Sequence, residues 1–244
     1  MSFNTWTPLA VSSEASPWQG EVWRMVEAQH VASTMKIVDS RDEQDVLEAL
    51  LETSKPAQPT IKLDYLLATP FRYAPQGNGS RFRATHDPGV FYGAESVRTA
   101  GAELGYWRWK FLQDAVDLEK LEPVAHTAFR AFIDTCAVDL RHPPFDRDAS
   151  VWKNPTDYLA TQAFARVARE SGVGAIIYQS VRDATPAWCL ALLAVEGFAK
   201  PKPHPATQTW WLAVYKDQVI WRREQEAMSF SIEKGSDPFS IPKQ

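Results

Sequence analysis

Four apolar runs in the last third of the chain leave little freedom in what it can fold into: GAIIYQS from Gly174, AWCLALLAV from Ala187, TWWLAVY from Thr209 and QVIWRR from Gln218. Each is rich in β-branched or aromatic residues and too short for an ordinary helix, so each reads as a strand. The last two are separated by Lys216 and Asp217, the length of a tight hairpin turn. EVWRMVEA from Glu21 and VFYGA from Val90 have the same character, and KLEPVAHTAFRAFID from Lys120 reads as a strand pair or one long bent strand.

Helical patterns interrupt these strands. Ser40 and Glu43 form an S-x-x-E capping box ahead of Val46, Leu47, Leu50 and Leu51, and KPAQPT from Lys55 ends that helix. A second helix is predicted from near Ser96 to about Leu112, with Val97, Ala100, Leu104, Trp107 and Phe111 along one stripe and Glu103 at its margin. A third has Asn154 as cap, Pro155 at its first position and Gly172 just past its end. The alternation gives an α+β fold with a mixed, largely antiparallel sheet and flanking helices. With 244 residues, 45% of them hydrophobic, one globular domain is expected. Residues 1–20 read as an irregular arm, 21–223 as the domain with a helical insertion at about 40–60, and 224–244 as a tail.

Several classes of function are disfavoured. A net charge of -4 without a basic block argues against direct binding to nucleic acid, whose affinity comes from neutralising phosphates. There is no apolar run long enough to span a membrane, and the start lacks the basic and apolar regions of a secretion signal, so a cytoplasmic protein is expected. Cys136 and Cys189 have no disulfide or zinc spacing and read as buried, reduced thiols. The five histidines are scattered, so no metal is expected. G-x-S-x-G is absent, GNGSR lacks the end of a phosphate loop, and SGVGAII lacks the third glycine of a dinucleotide fingerprint.

What remains is a set of polar residues on strands and helix edges: Arg24, Arg72, Arg81, Arg83, Tyr92, Glu103 and Ser180. Singly, each has an ordinary reading. Arg24 and Arg72 can lay their stems on apolar surface, Arg81 and Arg83 follow the flexible bend PQGNGS, and Ser180 can end a strand. Together they supply guanidinium forks for a pyrophosphate, a ring for a heteroaromatic base and a carboxylate for positive charge developing on a sugar. Those are the needs of an enzyme that breaks a nicotinamide–ribose bond.

The order of short motifs resembles that of the RES-domain family: W-R at Trp23, G-S-R-F at Gly79, F-Y-G-A at Phe91, A-G-A-E at Ala100 and Y-Q-S-V-R at Tyr178. The resemblance spans about Glu21 to Arg223. It implies a core similar to that of ADP-ribosyltransferases and the role of a cytoplasmic toxin in a bacterial toxin–antitoxin pair. NAD would be the substrate rather than a cofactor, phosphate or water the acceptor, and an Xre-like antitoxin the partner. Carried over by position, Arg24 or Arg72, together with Arg81, would seat the NAD phosphates. Tyr92 would stack on or position the base, Glu103 would be the essential carboxylate, and Ser180 would bond to ribose or nicotinamide. Protein ADP-ribosylation, or nucleotide binding without catalysis, would use the same pocket. The long interval between Arg24 and Arg81, and Trp188 and Cys189 after the serine motif, depart from the family pattern.

Overall fold

In a computed structural model, residues 6–28, 62–72 and 79–231 are described, together with 40, 42, 43, 46 and 50. The strand-like runs join one eight-stranded, mostly antiparallel sheet, and the helices pack on its faces. The strands are β1 (Ser16–Glu27), β2 (Phe91–Ala94), β3 (Lys120–Asp139), β4 (Ala175–Gln179), β5 (Trp188–Leu192), β6 (Gln208–Tyr215), β7 (Gln218–Arg223) and β8 (Glu226–Ser231). Their order is β1-β2-β5-β4-β3-β6-β7-β8, and β1 also pairs with β3 over twelve residues. That extra pairing closes the first five strands into a ring; among the described strands only β3 and β4 run parallel. The helices are α1 (Pro8–Ser13), α2 (Tyr65–Arg72), α3 (Val97–Asp114), α4 (Ala149–Trp152) and α5 (Leu159–Glu170).

Strand alternation sorts the apolar residues into two cores. Val22, Phe91, Phe129, Ile133, Ile177 and Leu190, from all five strands of the ring, form one core, sealed by Leu67 of α2 and by Phe198. Each large side chain here is essentially inaccessible, and each contributes about 1.5–3 kcal/mol by leaving water. The opposite faces of these strands pack with α3, α5 and β6–β8 around Tyr106, Phe164, Trp210 and Trp221.

Several expectations need correction. The first twenty residues are not an irregular arm: Thr7 caps α1 by accepting from the Ala10 amide, Trp6 is buried against Phe145, and β1 starts at Ser16. The tail does not begin at 224, because Glu226–Ser231 pairs with β7 as an edge strand. Asn154 does not cap the third helix. Its carboxamide oxygen accepts from the amides of Thr156 and Asp157, a local turn that competes with helix, so α5 starts at Leu159. Cys136 is exposed; only Cys189 is buried.

The buried face of α3 is also rotated from the expected stripe. Trp107 and Phe111 are 47% and 55% exposed, while Gly101, Gly105 and Tyr106 face the sheet. A side chain at Gly105 would sit 2.9 Å from Val219, so the absence of a Cβ brings the helix close to β7. Of the insertion at 40–60, Asp42, Glu43, Val46 and Leu50 are helical, and the Glu43 amide donates to Ser40 Oγ at 3.2 Å as a capping box requires. The rest of that segment, and Gly77, lie outside the described residues.

Candidate active site

β1 and β2 share a single paired position, Trp23 opposite Ala94, and then separate. Arg24 fills the wedge. Its Nη1 donates to the Tyr92 carbonyl at 2.8 Å, and its guanidinium lies 4.9 Å from the centre of the Phe91 ring. Nε is buried with no partner. Burial lowers the Arg24 pKa to about 10, against the opposing pull of Tyr92.

Beside this wedge is a cavity of about 200 Å³ between β1, β2 and α3. Arg24, Arg81, Tyr92 and Glu103 all line it, as do Tyr158 and Cys189. Glu103 is its one carboxylate among the described residues. Four sequence-distant candidates therefore converge.

Arg81 arrives on a tight turn. Gly79 takes a φ of +83°, a region that disfavours side chains, and Ser80 pairs with Arg83 across the turn. The Tyr92 hydroxyl accepts from the Phe82 amide at 2.9 Å and shares a 2.8 Å hydrogen bond with Ser80 Oγ. From α5, Thr161 donates to the Arg81 carbonyl and Gln162 to that of Ser80. The Arg81 guanidinium lies over the Tyr158 ring, and its Nη1 donates to the carbonyls of Trp152 and Asn154 at 2.8 and 2.9 Å. Tyr92 therefore holds the arginine-bearing turn as well as lining the cavity, and burial raises its pKa.

Glu103 is held from the other side. Ser180 Oγ donates to its Oε1 at 2.6 Å and accepts from the amides of Arg182 and Asp183, each at 3.2 Å. At 1% exposure the serine is not among the residues that line the cavity, and its hydroxyl orients the Glu103 carboxylate. Asp183 extends the network, accepting from Thr99 Oγ1 at 3.1 Å and Arg98 Nε at 3.3 Å. Thr99 thereby ties the first turn of α3, capped by Ser96, to the loop after β4. Cys189 Sγ stands 3.9 Å from Glu103 Oε1. Burial and the Glu103 charge push the thiol well above the ordinary cysteine range, so it stays protonated beside the carboxylate.

The remaining candidates lie apart. Arg72 ends α2 and does not line this cavity. Arg83 turns away, donating through Nε to the Asp87 carbonyl. Asp183, Thr99 and Tyr158 were not among the sequence candidates. Asp183 directly follows the Y-Q-S-V-R run, but its burial arises only from the fold.

An acid locked by a serine inside an arginine-lined cavity defines a class of pocket suited to an anionic ligand in which cationic charge develops. The family model described as RES domain matches residues 57–214, and the chain belongs to that family. The matched span includes Arg72, Arg81, Tyr92, Glu103 and Ser180, whereas Arg24 precedes it. Among solved structures, the chain is similar to one from the crystal structure of the M. tuberculosis MbcT–MbcA toxin–antitoxin complex. The identity is 11%, with 94% of each chain covered and a TM-score of 0.49. No curated protein matches in sequence. Among the described residues, no helix is long and apolar enough to cross a membrane.

Proposed function

We propose that this chain is the toxin of a toxin–antitoxin pair and that it consumes NAD by breaking the bond between nicotinamide and ribose. One observation carries the reading: among the described residues the only carboxylate lining the cavity is Glu103, fixed by Ser180 and sharing its chamber with Arg24 and Arg81. The C1′–N bond breaks with its electron pair leaving on nicotinamide. The ribose passes through an oxocarbenium-like state that the Glu103 carboxylate stabilises, and an oxygen of phosphate or water forms the new bond to C1′, an attacking water releasing its proton to solvent. The arginines take the pyrophosphate. Family membership supports the toxin role, and an antitoxin that covers the exposed Trp107 at the cavity rim would silence the enzyme.

The test is to incubate purified protein with NAD and follow nicotinamide release by chromatography, with and without inorganic phosphate. Release that yields ADP-ribose 1-phosphate when phosphate is present, or ADP-ribose when it is not, is the expected result. Intact NAD after hours would refute the reading, and label transferred to protein would replace phosphate or water by a protein acceptor.

A further inference from the structure

A second cavity of about 270 Å³ lies on the other side of Arg24, between β1, β3 and α2. Strand alternation places Val22, Arg24 and Val26 on the ring's inner face, so this chamber sits over one mouth of the ring. Val26, Leu66 and Pro70 give it apolar walls, Tyr65 adds a ring that is 63% exposed, Thr127 contributes a hydroxyl and Thr69 one that already donates to the Tyr65 carbonyl, and Glu27, ion-paired with Arg108, is its one carboxylate among the described residues. Arg24 lines both cavities, and its buried Nε lacks a partner between them.

We infer that the two cavities are one bipartite site, with the chamber under α2 taking the adenylate half of a dinucleotide and the Glu103 chamber taking the nicotinamide half. This rests on the NAD reading above, and it adds that the helix between Arg24 and Arg81 is part of the ligand site.

The chemistry of the chamber argues for that occupant. A flat heteroaromatic base matches apolar walls with an accessible ring, on which it can stack. A phosphate at the junction would satisfy the Arg24 Nε that the protein leaves unpaired. An apolar ligand would leave the Arg24 Nε unpaired. Arg72 stands three residues after Thr69 and seven after Tyr65, so helical spacing puts it on the same face of α2.

Calorimetric titration of the full chain with AMP and with nicotinamide mononucleotide, separately and together, tests the division. AMP and the mononucleotide should bind simultaneously. Thr69→Trp, which fills the chamber from an exposed helical position, and Tyr65→Ala, which removes its ring, should each weaken AMP about tenfold or more while leaving the mononucleotide unchanged. Thermal midpoints equal to the parent's would show that both variants fold. Competition between the two nucleotides, unchanged AMP affinity in both folded variants, or no AMP binding by the parent would overturn the bipartite site. NAD cleavage is read in a separate assay. Cleavage with unaltered AMP binding in the variants would sink only the subsite, and AMP binding without cleavage would sink only the reaction.

Discussion

The two sides of the cavity are built in opposite ways. On the α3 side, Glu103, Ser180 and Asp183 form a closed network in which the serine hydroxyl, once a donor and twice an acceptor, is satisfied. On the β1 side, Arg24 is buried against an aromatic ring with one N–H unmatched. A satisfied network is rigid and ready before a ligand comes. An unmatched buried cation is a deficit that only a ligand can make good. On the proposed reading, the difference separates residues positioned for chemistry from residues that an anion would complete.

The largest expected effect lies on the satisfied side. Glu103→Gln keeps the shape and can still accept from Ser180, but removes the charge. NAD turnover should fall about 10²–10³-fold with NAD affinity little changed. Activity equal to the parent's would break the assignment. Ser180→Ala should lower kcat by about 10–100-fold with KM nearly constant, because the carboxylate remains but is no longer held. A role in ligand contact would instead raise KM, so the split between the two constants distinguishes positioning from binding. Ser180→Thr, which retains a hydroxyl, should recover part of the loss.

The two arginines sharpen the contrast through stability. Arg81→Met strands the carbonyls of Trp152 and Asn154 and should cost about 1–3 kcal/mol in denaturant unfolding. Arg24→Met removes a desolvated cation that keeps one hydrogen bond, to the Tyr92 carbonyl, and should leave the ligand-free protein as stable or more stable. Both should weaken NAD binding. If Arg24→Met destabilised the protein as much as Arg81→Met, Arg24 would be a structural residue rather than an unmet donor.

Much of this was readable beforehand, for identifiable reasons. The apolar runs became strands because period and composition agreed, and Tyr92, Glu103 and Arg81 met because their motifs end or flank those strands. What was hidden depends on close approach. The buried face of α3 is chosen by the fit of Gly101 and Gly105 against Trp221 and Val219, which hydrophobic periodicity ranks below Trp107 and Phe111. The resemblance implies a bond from Ser180 to ribose or nicotinamide; in the structure its hydroxyl donates to Glu103, and no pattern in one sequence shows a contact between residues 77 positions apart. Arg24 was ambiguous because the ring closure that buries it comes from pairing β1 with β3, a register set by the whole sheet.

The smallest effect is again an unmatched group, but one of opposite sense. His126 is 1% exposed, its ring 5.0 Å from that of Trp221, with Arg108 of α3 and Glu27 of β1 nearby. Its Nδ1 lies 2.9 Å from the Val124 carbonyl, which requires the proton there and leaves Nε2 a buried lone pair without a donor. Burial, reinforced by Arg108, lowers its pKa below the ordinary 6.5 and outweighs the raising effects of the Val124 bond and Glu27. The unfolded chain therefore takes up the proton first as pH falls. Stability should drop from about pH 6.5 downward, by at most about 1.4 kcal/mol per pH unit, until the folded pKa is reached. His126→Phe keeps a ring against Trp221 and has nothing to protonate, so its unfolding free energy should lack this part of the slope. An identical slope in parent and variant would assign the acid sensitivity elsewhere. Arg24 differs in kind: a ligand phosphate can answer its free N–H, whereas the Nε2 of His126 is a buried acceptor that an anion cannot answer.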